Sequence, residues 1–466
     1  MFRKLLSTVT LAAIGLSAQP VDRTKAPLSP PIPGYKLPPV FENKLPNGLN
    51  VVVVEDPRFP LVTARLIFQA GSKYDPKDMP GLADAVASQL NEGTKTRTSR
   101  QISEESDGLG GSIGASAGPD TLTVSGSALA ENLSPMLGLL ADISLNSTFP
   151  ANEVKLYQQN RLQELEQQHS QPEFLAQEKI AEVVYGSSPY AHIAPTEASI
   201  QKLDTATLAK FRDTYLVPNN ATLVLLGKLP ERELLMKTVS QLLGNWKQKE
   251  LPAALKMDLP APKRQIILVD RPGSVQADIH VGRLAPTRLT SDYFPLMVGK
   301  NILGGGTNAR MFKDIRERDS FAYDAHAEYA THRDAAMFSA VTEVRNEVIE
   351  PAMKDVIDEL NQMATKPVGG DELTNTKNYL AGLYLLGLET QAGLAAQLSN
   401  VKALGLPNNY LETYTTRVRS VEPDQILAAA KKYMAPEQAA IIVVGDASKI
   451  GDALKKFGEV TVTKAQ

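Results

Sequence analysis

The order of elements predicts an α+β fold of two duplicated units of about 210 residues, each an antiparallel-type sheet covered by helices. Two observations carry this. Strand-like pairs rich in Val are followed by runs of consecutive helical segments, the order expected of helices layered on one face of a sheet. The same order then runs twice. IILVDRP at 266–272 echoes VVVEDP at 52–57, with Asp56 and Asp270 separated by 214 positions. GGT at 305–307 echoes EGT at 92–94 at a spacing of 213, and YMAPEQAAIIVVG at 433–445 echoes YLVPNNATLVLLG at 215–227 at 218. Three anchors in one order at nearly constant spacing define a repeat.

In chain order, the first unit opens with strands at 48–55 and 61–69, Val-rich and partly alternating. In GLADAVASQLNEGT at 81–94, Leu82, Val86 and Leu90 recur four apart, which predicts an amphipathic helix ending near Gly93. A short polar helix at 99–107 and a Gly-rich turn lead to strands at 111–117 and 121–128. Helices follow at 130–146, 151–169, 173–185 and 204–215, then a strand at 221–226 and a helix at 231–246. The two units are bounded as 45–246 and 264–460, and a Lys- and Pro-containing linker at 247–263 joins them.

The N-terminus, MFRKLLSTVTLAAIGLSAQP, combines basic Arg3 and Lys4, an apolar stretch from Leu5 to Leu16, and small residues at Ser17 and Ala18. This reads as a signal peptide over 1–18 and predicts an exported protein, placed in the periplasm. An apolar run of about 12 to 14 residues is short for a membrane span, so no stable membrane anchor is expected. The Pro-rich segment at 19–44 is expected to drape loosely before the first strand.

Among 466 residues there is no Cys, which rules out thiol catalysis, disulfides and a lipidated Cys anchor. A formal net charge of -3 argues against a general binder of nucleic acid or anionic membranes.

One face of the helix at 81–93 carries Asp84, Ala87 and Ser88. The flanks are FQAGSKYDP at 68–76, then GLA, then Gly93-Thr94. This frame resembles the segment around the inverted zinc motif, His-x-x-Glu-His, of the pitrilysin/insulinase family of metallopeptidases, which includes the mitochondrial processing peptidases. The resemblance aligns the first ligand with Asp84, the general base with Ala87 and the second ligand with Ser88. Alanine can neither bind zinc nor take a proton from its water, and serine is a poor ligand. On residues 84, 87 and 88 alone, an ordinary amphipathic helix of an unrelated fold fits as well. The duplication and the family frame agree over about 45–457, and the resemblance implies two halves facing each other across a peptide chamber.

In active members a third ligand, a Glu, follows the second His by about 76 residues, a count that lands on Glu164. Glu164 also sits in RLQELEQQ, the pattern of a solvated helix face. No zinc is expected in this chain. NILGGGTNARMFKDIRERDSFAYDAHAEY at 301–329 resembles the family segment that supplies an Arg and a Tyr seven residues apart, here Arg316 and Tyr323. The resemblance implies that they hydrogen-bond the bound peptide and support the developing oxyanion, roles suited to a forked cation and a phenol. The plain alternatives are a helix-surface cation among Lys313, Glu317 and Arg318, and a half-buried strand aromatic. Gly304–Gly306 lacks the context of a phosphate-binding loop.

Gly114, Ala115 and Ser116, in GSIGASAG, fall where the family pairs its substrate with an edge strand; small residues would admit an extended peptide, or simply mark a weak edge. The five His show no metal-ligand spacing, and His192 in SPYAHIAP resembles a structural family loop. The function expected is therefore a non-catalytic subunit of an exported heterodimeric zinc metallopeptidase, with zinc in a sister chain and peptides as substrates. A stand-alone peptide-binding or chaperone-like module is the alternative.

Overall fold

The computed structural model describes residues 34–465, so the signal-peptide reading of 1–18 and most of the 19–44 segment lie outside the described residues. The first sheet consists of β1 (Val40–Lys44), β2 (Asn50–Glu55), β3 (Leu61–Phe68), β4 (Ser112–Ala117), β5 (Leu122–Leu129) and β6 (Ala221–Gly227), in the order β1-β2-β6-β3-β5-β4. The second consists of β7 (Gln265–Asp270), β8 (Gln276–Ala285), β9 (Ala322–Thr331), β10 (Ala336–Arg345), β11 (Ala440–Gly445) and β12 (Val460–Lys464), in the order β12-β7-β11-β8-β10-β9. The two orders superpose from β2 to β4 on β7 to β9, which is the duplication in three dimensions. Pairing is antiparallel except at β2–β6, β7–β11 and β7–β12.

Burial explains the sequence pattern of the strands. In β2, Val51 to Val54 are all buried, because helices cover the first sheet on both faces and leave no solvent side to alternate with. β4, at the edge, reads SIGASA and is only half covered. The outermost strands differ between the halves: β1 runs antiparallel to β2, whereas β12 runs parallel to β7. β1 falls just before the first strand expected from the Val run. The helix expected at 81–93 spans Leu82–Gln89, since Leu90 N–H already turns back to the Ala87 carbonyl and Gly93 takes a positive φ of 148°.

The halves are joined by a reciprocal exchange of helices. The Pro172–Tyr185 helix, from the first half of the chain, packs on β8 and β11 of the second sheet, with Leu175, Ile180 and Val184 clustered against Met337, Ile442 and Val444. The Gln391–Leu404 helix, from the second half, packs on β3 and β6, with Leu394 and Leu398 against Val52, Ile67 and Val224. Each buried aliphatic side chain contributes about 1.5–3 kcal/mol, so either helix ties the halves firmly. Matched arginines mark both exchanges. Arg58 donates to the Glu389 carbonyl at 3.1 Å, and Arg271 to the Ser170 carbonyl at 2.9 Å, each just ahead of the exchanged helix. Residues from Gly34 onward accordingly form one compact unit.

Candidate functional site

The exchange leaves a chamber of about 1130 Å³ between the Leu82–Gln89 and Ala151–His169 helices on one side and the second sheet on the other. The Asp75 carboxylate anchors the first of these helices by accepting the Gly81 and Ala83 N–H groups, both at 2.8 Å, donors that would otherwise be orphaned at the helix start. Burial pushes Asp75 up to about 7, against the pull of those backbone donors. Gly81 adopts a φ of 89°, and a Cβ there would meet Pro195 Cβ at 2.7 Å, so the turn into the helix requires glycine.

The pattern Leu82, Val86, Leu90 turns inward and leaves Asp84 and Ser88 exposed, with Asp84 lining the chamber. Ala87, which the sequence resemblance aligns with a general base, is 2% exposed. Glu164 also lines the chamber, so the structure does bring Asp84 and Glu164 to one cavity. Both carboxylates are already engaged. Tyr157 donates to Asp84 Oδ2 at 3.1 Å, and Arg161 pairs with Glu164 at 3.0 Å while also donating to Gln168 Oε1. Burial, followed by the Asp84 charge, raises the Tyr157 phenol, which keeps it a hydrogen-bond donor.

Zinc does not fit these residues. Two partnered carboxylates, a serine and an alanine supply neither the imidazoles nor the base that the chemistry needs. No group of three or more His, Asp or Glu among the described residues is arranged to hold a metal ion.

The other resemblance-derived positions lie elsewhere. Gly114, Ala115 and Ser116 are on β4, which pairs only with β5 and leaves its outer edge open among the described residues. A Cβ on Gly114 would touch nothing, so the sheet face is open at that position. Ala117, next along, lines the chamber, as does His192. Arg316 belongs to a π-helical turn, Phe312–Arg318, and its guanidinium lies 4.6 Å from the centroids of both the Phe312 and the Tyr323 rings. The seven-residue spacing thus becomes a direct contact. Tyr323 is not the half-buried strand aromatic of the plain alternative; it is 83% exposed at the start of β9. The chamber is lined by the other end of β9, at Glu328 and Ala330. Five to seven residues of strand separate the two, or about 17–23 Å.

At the chamber rim, Lys73 is 3% exposed and bonds Asp120 at 3.0 Å and Asp334 of the second half at 2.8 Å. Tyr190 donates to Asp120 at 2.6 Å and stacks on His332, with ring centroids 4.6 Å apart. Sequence reasoning missed this cluster, whose members are scattered over more than 260 positions. It also missed Tyr157 and Arg161. There a signal existed, because residues 157, 161 and 164 recur at i, i+4 and i+7 and so share one helix face.

Two α+β halves joined by exchanged helices, with a chamber between them, define a peptidase-like protein. The chain belongs to the insulinase family, peptidase family M16. The model described as insulinase (peptidase family M16) matches residues 50–194, and that of the peptidase M16 inactive domain matches 202–380. A relative from Rickettsia felis, called an uncharacterized zinc protease, is 27% identical over 84% of this chain and 94% of its own length. Another so called, from Bacillus subtilis, is 21% identical over 85% and 96%. The crystal structure of a peptidase M16 inactive domain from Pseudomonas fluorescens superposes with a TM-score of 0.82 at 26% identity, covering 87% of this chain and 98% of that one. A protease from Helicobacter pylori shares the fold at a TM-score of 0.81 and 17% identity, over 88% and 100%. No helix among the described residues is long and apolar enough to cross a membrane.

Proposed function

We propose that this chain is the non-catalytic, substrate-holding subunit of an exported two-chain zinc peptidase, working with a sister chain that carries the metal. One contrast carries the reading. At the former zinc helix, Ala87 is buried and Asp84 is tied to Tyr157. Arg316, half-buried, and Tyr323, exposed, in contrast remain stacked, Tyr323 lying about 20 Å along β9 from this chain's own chamber. A pair kept in order outside its own chamber suits use by a second chain. The test is an affinity pull-down of the mature chain from its native envelope, with zinc analysis and a peptide-cleavage assay on the eluate. A stoichiometric zinc-bearing homologue with activity supports the reading. Zinc-dependent hydrolysis by the purified chain alone overturns it.

The open β4 edge beside the chamber favours a second reading, a stand-alone module that holds extended peptides. It expects a lone, metal-free chain in the same pull-down that still binds peptide.

A further inference from the structure

Beside the Gln391–Leu404 helix, the first sheet opens one face to solvent. The helix packs on β3 and β6, against Ile67 and Val224, whereas on β4 and β5 the same face is less covered: Ser112 and Ser116 are exposed, Ser125 and Ser127 half-buried. Register fixes what stands there. Arg65 on β3 lies opposite Ser125 on β5, which lies opposite Gly114 on β4. The flanking rows are Thr63, Ser127 and Ser112 on one side, and Ile67, Thr123 and Ser116 on the other. Residues directly opposite on antiparallel strands share a face, so the three rows project together. Ala64, Leu66 and Val124 turn the other way, into the core of the first half.

Arg65 is unexplained by the fold. It is half-buried, its Nε is shut off from water, and its guanidinium makes no hydrogen bond or ion pair among the described residues. Burial lowers its pKa, and no neighbouring charge counters the shift. The three rows hold no Asp or Glu, and neither does the helix beside them, QAGLAAQLSNVKAL. Glu42, on the same row beyond Val224 and Val52, is already paired with Lys402 at 2.6 Å. The duplicated half is different. There His280 stands opposite Ile442 as Arg65 stands opposite Val224, and Asp278 Oδ1 lies 2.8 Å from its Nε2. Thr63 occupies the place of Asp278, two residues before Arg65, so the first sheet has lost that counter-charge. A cation drawn out of water without a partner is costly, and an anion is what relieves it.

The hydroxyls around Arg65 are also unspent. Thr63, Ser116 and Ser125 make no side-chain hydrogen bond among the described residues, whereas Ser112 and Ser127 bond each other at 3.3 Å. Ser125 faces Arg65 with Cβ atoms about 5 Å apart, and Thr63 lies about 7 Å away along the strand, both within reach of a long side chain. A fork of N–H donors beside free hydroxyls matches an anion with several oxygens. Shape narrows the choice. A planar carboxylate spends both oxygens on the guanidinium; a tetrahedral oxyanion keeps a third for a hydroxyl.

We propose that this face is a binding site for a tetrahedral oxyanion, a phosphate group either free or esterified, held by the Arg65 fork with the Ser125 and Thr63 hydroxyls donating to it. An anion bound there neutralises a charge that the folded chain otherwise carries unpaired, so it stabilises the fold as well as filling the site.

The experiment titrates the full chain with inorganic phosphate in low-salt Tris buffer by isothermal titration calorimetry, with acetate as the planar control and glycerol phosphate as the ester. One phosphate binds per chain, at least about ten-fold more tightly than acetate. Arg65→Met lowers phosphate affinity by at least about ten-fold, and Ser125→Ala by about three-fold. In phosphate-free buffer the Tm of Arg65→Met is no lower than that of the wild type, because the variant removes an unpaired charge; added phosphate raises only the wild-type Tm. Should Arg65→Met fail to fold, Ser125→Ala carries the same test. Tighter binding of glycerol phosphate than of phosphate supports the site with an ester as its ligand, and weaker binding supports it with the free ion. No saturable phosphate binding, equal affinity for acetate, or undiminished affinity in both variants overturns it.

Discussion

The Tyr157 phenol donates to the Asp84 carboxylate at 3.1 Å, bridging the two helices that bring Asp84 and Glu164 to the chamber. The bond links the Leu82–Gln89 and Ala151–His169 helices directly. Its energetic share is modest because Asp84 is exposed. Tyr157→Phe is expected to cost about 0.5–1.5 kcal/mol, and Asp84→Asn in that background to cost almost nothing further. A urea-denaturation double-mutant cycle measures this; additive losses would mean that the two groups are not coupled.

Rebuilding the zinc site needs more than its motif. Asp84→His, Ala87→Glu and Ser88→His restore the ligand and base types, but Arg161 still holds Glu164 at 3.0 Å. The triple variant is therefore expected to lose zinc on dialysis, and the same variant with Arg161→Gln to keep about one zinc per chain by elemental analysis, since Glu164 is then free to bind. Retention by the triple variant without the fourth change would show that Arg161 does not compete. Ala87 is buried, so a glutamate there is also expected to lower Tm unless zinc is present.

Lys73 spans the two halves from an almost fully buried position, between Asp120 at 3.0 Å and Asp334 at 2.8 Å. Burial works against its charge, yet the two carboxylates leave it more firmly protonated than usual. Lys73→Met strands the Asp120 carboxylate and is expected to cost about 3–5 kcal/mol, while Lys73→Met with Asp120→Asn recovers much of that loss. The urea midpoint reads both. A cost below about 1 kcal/mol for the single change would remove this cluster from the inter-half contacts.

His332, stacked on Tyr190, gives the rim a pH dependence. Burial depresses its pKa, the Asp120 charge pulls the other way, and Lys73 adds to the depression; Tyr185 is its other ring neighbour. An unfolded histidine takes up a proton near 6.5, the folded one only at lower pH. The unfolded chain thus binds more protons within that window, so stability present above about pH 6.5 is lost as pH falls through it. His332→Phe keeps the stacking and removes the proton site. Its Tm is expected to gain about 2 °C on the wild type between pH 7.5 and 5. A constant difference across that range would mean that His332 titrates normally.

How much of this was legible in the sequence depends on whether the determinant was local. Helix and strand order, and the near-constant spacing of Asp56 and Asp270, come from patterns within short windows and from chain self-similarity, and the two sheets follow them. The exchange of the Pro172–Tyr185 and Gln391–Leu404 helices was not legible, because an apolar helix face does not say which sheet it will cover. The same limit applies to the site. Arg316 and Tyr323 carry a spacing signal and do meet, whereas Lys73 and Asp334 become neighbours only when the two halves dock.

Arg316 decides between use and ornament. Its guanidinium is held between the Phe312 and Tyr323 rings, each at 4.6 Å, which orients the fork without engaging it in an ion pair among the described residues. The turn that carries it is fixed independently, by buried Ile315 and by Arg318 bonded to Asp314 and Asp319. Removing the guanidinium should therefore leave that turn in place. In the two-chain peptidase proposed above, Arg316→Ala is expected to lower kcat by roughly 100-fold, the scale of losing one oxyanion donor, with the complex still intact by size-exclusion chromatography. Arg316→Lys restores the charge but not the planar fork, and is expected to rescue little of the activity. Tyr323→Phe keeps the stacking and loses only the phenol donor, so it separates positioning of Arg316 from direct contact with the substrate. Dissociation of the pair by Arg316→Ala would instead make this residue part of the interface.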